Sequence, residues 1–417
     1  MLDHVSRFIG AFTGLAIGDA FGYPCRDMTF EQICERFEKK GCLRLAVSGK
    51  TNTALFTDAT QMSLFTTDGI LWATLSQGDE GVNYTEYVFY AYQMWLYTQT
   101  KTVAGEEYTW LFDMNQNPYR SKLIKTKGLY RKAFSEPINV EILSRMRNLS
   151  YGKITKPQNT LDDTGAIKRV MPAGLFFNYD TELAFRAGAD FAAITHGSPS
   201  SYLSAGCYCA IIAELINNKS IDDATVAAIE ILQTYKGHEE LLETLQKAQS
   251  YLNDPEVPPL VAISHIGTEN KAVHAFAVAL FAATLFEDSF ENAIRLATNH
   301  DGQSDVCGAL CGGILGAYHG AHFVSPKWLK KLSYLRLIED IAISLAENSY
   351  FRDENDTDDS DNFDGVPPSE NASNSKESKG LAGLKNKFKN KIKGETEPIS
   401  DSEPELEIGN DLGSSSE

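Results

Sequence analysis

Apolar residues recur at helical spacing in one segment after another along the first 350 residues. Examples are "AFRAGADFAAITH", "YLSAGCYCAIIAELI", "DDATVAAIEILQTY" and "EDIAISLAENSY". Their apolar positions are three or four residues apart, the period of a helix with a buried face. Period-two alternation, which is typical of half-buried strands, is rare. The pattern predicts an all-α fold, a compact multi-helix domain over roughly residues 1–350.

The pattern changes after residue 350. From "RDENDTDDSDNFDG" onward the chain is acidic, rich in Ser and Asn, and almost free of aromatic residues. Such a composition cannot bury enough apolar surface to offset the entropy of ordering the chain. We therefore predict that residues 351–417 form a disordered tail.

One stretch of the tail differs from its surroundings. In "LAGLKNKFKNKIKG", residues 381–394, Leu381, Leu384, Phe388 and Ile392 fall on one helical face among five lysines. This arrangement predicts a weak contact with an anionic membrane surface or with a partner groove. The alternative is a solvated basic patch that partly neutralises the acidic tail.

Charge and cysteine usage narrow the class of protein. The net charge is -18, and residues 353–417 contribute -10 of it through 17 Asp and Glu and 7 Lys. This acidic balance disfavours binding to nucleic acid. The seven cysteines form no CxxC pair, and the first residues lack the basic and apolar regions of a secretory signal. Reduced thiols in a cytoplasmic protein are therefore expected.

Glycine is periodic in two places. It recurs every four residues at Gly10, Gly14, Gly18 and Gly22, and again at Gly308, Gly312, Gly316 and Gly320. Each interior glycine costs a helix roughly 0.5 to 1 kcal/mol relative to alanine, so two such series need a compensating reason. Close packing of helix backbones supplies that reason, and we expect it to draw together the polar helix starts described next.

Carboxylates stand at the start of two apolar segments. In "LFTDATQMSLFTTDGILWATL", Asp58 is followed three residues later by Gln61, which has the form of a capping box. In "NHDGQSDVCGALCGGILGAYHG", Ser304 and Asp305 precede the second glycine series. Each acid either caps its helix or points into a site that the two helices share.

Five segments together resemble a known family. In chain order they are "GAFTGLAIGDAFGYP", "FTDATQMSLFTTDGIL", "KRVMPAGLF", "ITHGSPSSYLSAGCYCAIIAELI" and "NHDGQSDVCGALCGGILGAYHG". Their order and context are similar to those of ADP-ribosylglycohydrolases, over nearly all of residues 8–320. The resemblance implies an all-α domain whose cleft binds ADP-ribose over two magnesium ions and hydrolyses the bond between ribose C1 and a modified side chain.

The resemblance also assigns roles to individual positions. It implies metal ligation by Thr57, Asp58 and Asp305, and catalysis by Asp58 and Asp305 if the protein is active. It implies contacts with ADP-ribose from Asp19, Arg169, His196, Gly302 and Ser304. Three of these residues also have a purely structural interpretation. Asp19 could brace a helix, His196 could be a buried histidine with its hydrogen bonds satisfied in the core, and Arg169 could form a structural ion pair.

The sequence departs from the family pattern at the metal site. Ala59 and Gln303 replace acids, Val306 replaces Ser or Thr, Arg26 replaces a Glu, and Ser198 replaces the second His of a His-x-His motif. Because Mg²⁺ prefers oxygen ligands, we predict no dinuclear centre and at most one ion. We also predict that the Arg26 guanidinium bridges Asp58 and Asp305 in place of metal.

Three functions follow from these observations. The favoured one is binding of ADP-ribose or an ADP-ribosylated protein with lost or strongly reduced hydrolase activity. The second is an active, divergent ADP-ribosyl hydrolase that uses one Mg²⁺ ion or no metal. The third is a scaffold or interaction protein that acts through its tail.

Overall fold

The computed structural model describes residues 4–37, 39–76, 82–113, 115–117, 119–132, 137–350 and 407–408. The α-helices of this part of the chain are α1 (His4–Gly22), α2 (Phe30–Arg36), α3 (Asp58–Leu75), α4 (Tyr84–Thr100), α5 (Pro137–Arg145), α6 (Met171–Phe176), α7 (Thr181–Ala193), α8 (Pro199–Ile216), α9 (Ile221–Leu232), α10 (Glu239–Leu252), α11 (Pro259–Ile266), α12 (Ala272–Leu285), α13 (Phe290–Thr298), α14 (Ser304–His319), α15 (Pro326–Leu329) and α16 (Leu335–Tyr350). The strands are β1 (Val47–Ser48) and β2 (Glu407–Ile408), which pair in parallel. The predicted all-α fold is confirmed.

Most of the predicted tail, including the basic stretch 381–394, lies outside the described residues. Within the described residues, none of the helices combines the length and the apolar character needed to cross a bilayer.

The two glycine series lie against each other along α1 and α14. The helices run antiparallel, with Gly14 opposite Gly312 and Gly18 opposite Gly308. A Cβ atom on either α1 glycine would overlap the carbonyl oxygen of the facing glycine. The predicted close approach of two helix backbones is therefore confirmed. It places the end of α1 beside the start of α14, where Gly22 packs on the backbone of Ser304.

The buried Arg7 side chain joins the same two helices at the opposite end of the contact. Its Nη1 donates to the carbonyl oxygens of Leu215, Ala317 and Tyr318 at 2.8, 2.9 and 2.6 Å. These carbonyls belong to the last turns of α8 and α14. The C=O groups at the end of a helix have no N–H partner within that helix. One guanidinium thus connects three helix ends in the core.

The start of α3 differs from the capping box expected at Asp58. The cap is Thr57, whose Oγ1 accepts a hydrogen bond from the Ala59 N–H at 3.1 Å. Gln61 does not reach back to the helix start. Its buried Oε1 accepts hydrogen bonds from the side-chain N–H groups of Trp95 and Gln99 on α4, each at 3.2 Å. The capping-box interpretation is wrong because Gln61 is used for packing between helices.

The buried Asp68, in the middle of α3, makes the stability of the protein depend on pH. Tyr119 donates to its Oδ1 at 2.6 Å, and burial raises the pKa of the carboxyl to about 6 despite this hydrogen bond and one from Ser121. As pH rises from about 4 to about 6, Asp68 loses its proton in the unfolded chain at a lower pH than in the folded protein. Stability should therefore fall through this window and stay lower above it.

Asp68→Asn keeps an acceptor for Tyr119 and removes the ionisation. We expect the variant to match the parent near pH 4 and to exceed it by about 2 to 3 kcal/mol in free energy of unfolding at pH 7. Urea denaturation across this pH range measures the difference. Identical pH dependence of the two proteins would contradict the prediction.

Candidate functional site

The candidate site lies where the starts of α3 and α14 meet a short 3₁₀-helix, Ile167–Arg169, that leads into α6. The packing of α1 on α14 brings Asp305 near Asp19, since the charge of Asp305 acts on the Asp19 carboxyl. Residues 110 apart in the chain, Asp58 and Lys168, also meet here. Acids and bases from four separate segments therefore converge.

Asp58 forms a buried ion pair with Lys168. The Lys168 Nζ lies 2.8 Å from Asp58 Oδ1, and both side chains are 0% exposed. Two charges in the interior are tolerated only when they compensate each other closely. An ammonium group therefore accompanies the carboxylate that the family resemblance assigned to metal. Sequence reasoning missed Lys168, although it stands directly before Arg169 in the motif "KRVMPAGLF".

Asp305 forms a second ion pair, with Arg26. The Arg26 Nη1 lies 3.1 Å from Asp305 Oδ2, and the side chains are 8% and 0% exposed. Arg26 follows the 3₁₀-helix Tyr23–Cys25 at the end of α1, which aims its side chain at the start of α14. The contact with Asp305 is one of the two that the predicted bridge requires, and the contact of Arg26 with Asp58 stays a prediction. The sequence did not predict that Lys168 also lies beside Asp58.

Asp19 braces the start of α3. Its carboxylate, which is fully buried, accepts hydrogen bonds from the N–H groups of Thr57 and Thr60 at 3.0 Å and from the Thr60 hydroxyl at 2.5 Å. Burial and the nearby charge of Asp305 raise its pKa to about 7, against the opposing effect of these hydrogen bonds. The contacts match the structural role weighed for Asp19, since they satisfy N–H groups of the first turn of the helix.

His196 and Arg169 belong to one buried chain of hydrogen bonds. The Arg169 guanidinium, stacked 4.3 Å above the Tyr92 ring, donates to Thr195 Oγ1 at 2.6 Å. Thr195 Oγ1 lies 2.8 Å from His196 Nδ1, and His196 Nε2 lies 2.8 Å from Asp163 Oδ1. The chain runs from the core to Asp163, whose side chain is 17% exposed.

Asp163 is a member of the site that sequence reasoning did not single out. Burial raises its pKa, but the hydrogen bond and charge of His196, the Gly165 N–H and the charge of Lys168 outweigh burial and lower the pKa to about 2. The carboxyl is therefore ionised at neutral pH. The polar turn "LDDTG" before the basic motif was the available signal in the sequence.

The segment before α14 is fixed by main-chain contacts. Gly302 has φ +101°, a left-handed conformation that favours glycine, and its carbonyl accepts from the Asp27 N–H at 2.9 Å. Gln303 Nε2 donates to Asp27 Oδ1 at 2.6 Å, and Ser304 is buried at the first turn of α14. Two buried acceptors of this segment, Gln303 Oε1 and Asp305 Oδ1, have no hydrogen-bond partner among the described residues.

These side chains do not fit a magnesium centre. Among the described residues there is no group of three or more His, Cys, Asp or Glu placed to hold a metal ion. Asp58 and Asp305 each carry a bound cation, and the buried Ala59 and Val306 offer no side-chain oxygen. A divalent ion at this place would face the positive charges of Lys168 and Arg26 with few oxygen ligands.

Comparison with known proteins supports the family resemblance. The family model for ADP-ribosylglycohydrolase matches residues 2–355. An uncharacterized protein of Archaeoglobus fulgidus (strain ATCC 49558 / DSM 4304 / JCM 9628 / NBRC 100126 / VC-16) is 22% identical over 342 residues, covering 82% of this chain and 96% of that protein. A solved structure described as an ADP-ribosylglycohydrolase-related protein complex has the same fold, with a TM-score of 0.51 at 19% identity over 84% of this chain and 100% of the other. The helical domain, with its paired glycine series and its ion-paired acids, therefore belongs to the ADP-ribosylglycohydrolase family.

Proposed function

We propose that this protein binds ADP-ribose, or an ADP-ribosylated protein, without metal-dependent hydrolysis. The observation that carries the proposal is the pair of ion pairs, Lys168 with Asp58 and Arg26 with Asp305, at the positions that the family resemblance assigns to metal ligands. Two protein cations take the place of two metal ions.

The ion pairs oppose hydrolysis of the kind that the family performs. That chemistry needs a water oriented and acidified by metal, with a carboxylate free to take its proton. Asp58 Oδ1 is held by an ammonium group and Asp305 Oδ2 by a guanidinium, so each carboxylate is already engaged by a cation of the protein. An ammonium or guanidinium group has no open coordination position for water.

Several groups still favour binding. The start of α14 carries main-chain N–H groups without a partner inside the helix and without a side-chain cap, and such groups are suited to phosphate oxygens. Gln303 Oε1 and Asp305 Oδ1, which lack a hydrogen-bond partner among the described residues, are acceptors for ligand hydroxyl groups such as those of a ribose. Asp27, whose side chain is 64% exposed, accepts a hydrogen bond from Gln303 at the outer side of the site.

A metal-free hydrolase is the second candidate, and the pair His196 with Asp163 favours it. Asp163 is an ionised, partly exposed carboxylate held by a buried imidazole, a geometry able to orient a water molecule. A carboxylate with a pKa of about 2 is a weak base, however, and general-base catalysis is most efficient when the pKa is near the working pH. This candidate therefore ranks below binding without turnover.

Isothermal titration with ADP-ribose, with and without Mg²⁺, tests the proposal. We expect saturable binding whose dissociation constant changes by less than about twofold with Mg²⁺. We also expect no release of ADP-ribose from arginine-linked or serine-linked substrates. Turnover that requires Mg²⁺ would overturn the proposal, metal-free turnover lost in Asp163→Asn would establish the second candidate, and absence of binding would favour a scaffold.

A variant with the missing oxygen ligands restored serves as the positive control for metal binding. Arg26→Glu and Lys168→Met remove the two cations, and Ala59→Asp, Gln303→Asp and Val306→Thr supply side-chain oxygens at the three ligand positions that lack them. The control should gain thermal stabilisation by millimolar Mg²⁺ that the parent lacks.

A further inference from the structure

The strand β1 is hydrogen-bonded to a different segment of the chain on each of its two edges. On one side the Ser48 N–H donates to the Thr53 carbonyl at 2.9 Å, as the chain turns back toward Ala54 and its parallel bridge with Leu332. On the other side β2 pairs with it in parallel, with Val47 opposite Glu407 and Ser48 opposite Ile408. Residues near the C-terminal end of the chain therefore complete an edge that β1 otherwise leaves open.

Charge in the sequences around the two strands is complementary. The segments 41–54 and 326–337, which hold β1 and its neighbour Leu332, contain no Asp or Glu and six basic residues: Arg44, Lys50, Lys327, Lys330, Lys331 and Arg336. The sequence 399–411, which contains β2, has five acids and no basic residue. Lys50 and Lys330 are exposed, so their charges are available to an approaching acidic segment.

We propose that the open edge of β1, with this basic rim, is the docking surface for the chain's own acidic C-terminal segment around Glu407–Ile408. The segment adds as a parallel strand, so that main-chain hydrogen bonds provide affinity and the flanking acids provide selectivity for the basic rim. Exposed strand edges invite pairing with other chains, and a tethered occupant protects this one. The proposal is independent of the function proposed for the ADP-ribosylglycohydrolase site.

The length of the connection favours pairing within one chain. Residues 351–406 separate the end of α16 from β2. Fully extended, 56 residues reach about 190 Å, well beyond the diameter of roughly 40 to 50 Å expected for a domain of 350 residues. The connection is therefore long enough for pairing within one chain, and an intramolecular contact does not depend on protein concentration as one between two molecules does.

A cysteine trap in the full chain tests the pairing. Ser48→Cys with Ile408→Cys places two thiols at paired positions, where neighbouring strands are about 4.8 Å apart and a disulfide is geometrically possible. The control is Ser48→Cys with Ser373→Cys, which is nearer to the domain along the chain. With oxidised glutathione, we expect the first pair to form an intramolecular disulfide roughly tenfold faster than the control.

Charge reversal supplies a second readout. Lys50→Glu with Lys330→Glu should slow formation of the Ser48→Cys/Ile408→Cys disulfide several-fold at low salt and have little effect at about 1 M salt. Equal rates for the trap and the Ser373→Cys control would overturn the proposal. Disulfides formed mainly between two molecules would also overturn it, because the occupant would then be a second chain.

Discussion

Gly18→Ala should destabilise the helical domain severely, although alanine is the better helix former. The added Cβ would overlap the carbonyl carbon and oxygen of Gly308, and backbone atoms on α14 cannot move aside as a flexible side chain can. Alanine gains about 1 kcal/mol in helix propensity, whereas overpacking against a rigid backbone costs about 3 kcal/mol or more. Separating α1 from α14 would also disturb the ion pair of Arg26 with Asp305 at their common end.

Thermal and urea denaturation of Gly18→Ala measure this effect. The matched control is Gly105→Ala, where the atoms nearest to the added Cβ belong to the carboxylate end of Glu107, and φ of -154° is open to any residue. We expect the control to remain within about 1 kcal/mol of the parent in free energy of unfolding. If Gly18→Ala is as stable as the control, the close backbone packing is not a major constraint on the fold.

Lys168→Met should cost about 3 to 5 kcal/mol of stability, because it removes the ammonium group that lies 2.8 Å from the buried Asp58 carboxylate. The corresponding fall in melting temperature is roughly 4 to 7 °C for a domain of about 350 residues. Lys271→Met is the matched control, since Lys271 forms an ion pair with Glu240 at 3.0 Å while 37% of its side chain is exposed. An exposed pair of this kind contributes at most about 1 kcal/mol.

The double variant Asp58→Asn with Lys168→Met distinguishes loss of the pair from loss of packing. Removing both charges leaves no uncompensated ion in the core, so at least about half of the lost stability should return. Additive effects of the two substitutions would show that the charges are not coupled. That result would also remove the main support for the proposed loss of metal-dependent hydrolysis.

The helical fold and the packing of α1 on α14 could be predicted because their signals are local and periodic. Apolar residues at a spacing of three or four show which face of a segment is buried. Glycine at a spacing of four, as at Gly10, Gly14 and Gly18, shows that the face lacks Cβ atoms and admits another backbone. The departures at Ala59 and Val306 were equally visible, because a side chain without oxygen offers no metal ligand in any conformation.

The pairing of charges was decided only by the tertiary structure. Asp58 and Lys168 are 110 residues apart, and Arg26 and Asp305 are 279 apart. Charge interactions depend on the distance between atoms and on burial, and neither quantity is periodic along a chain. The sequence therefore showed which carboxylates remain at the site, whereas the packing of α1, α3, α14 and the Ile167–Arg169 turn determined which cation holds each of them.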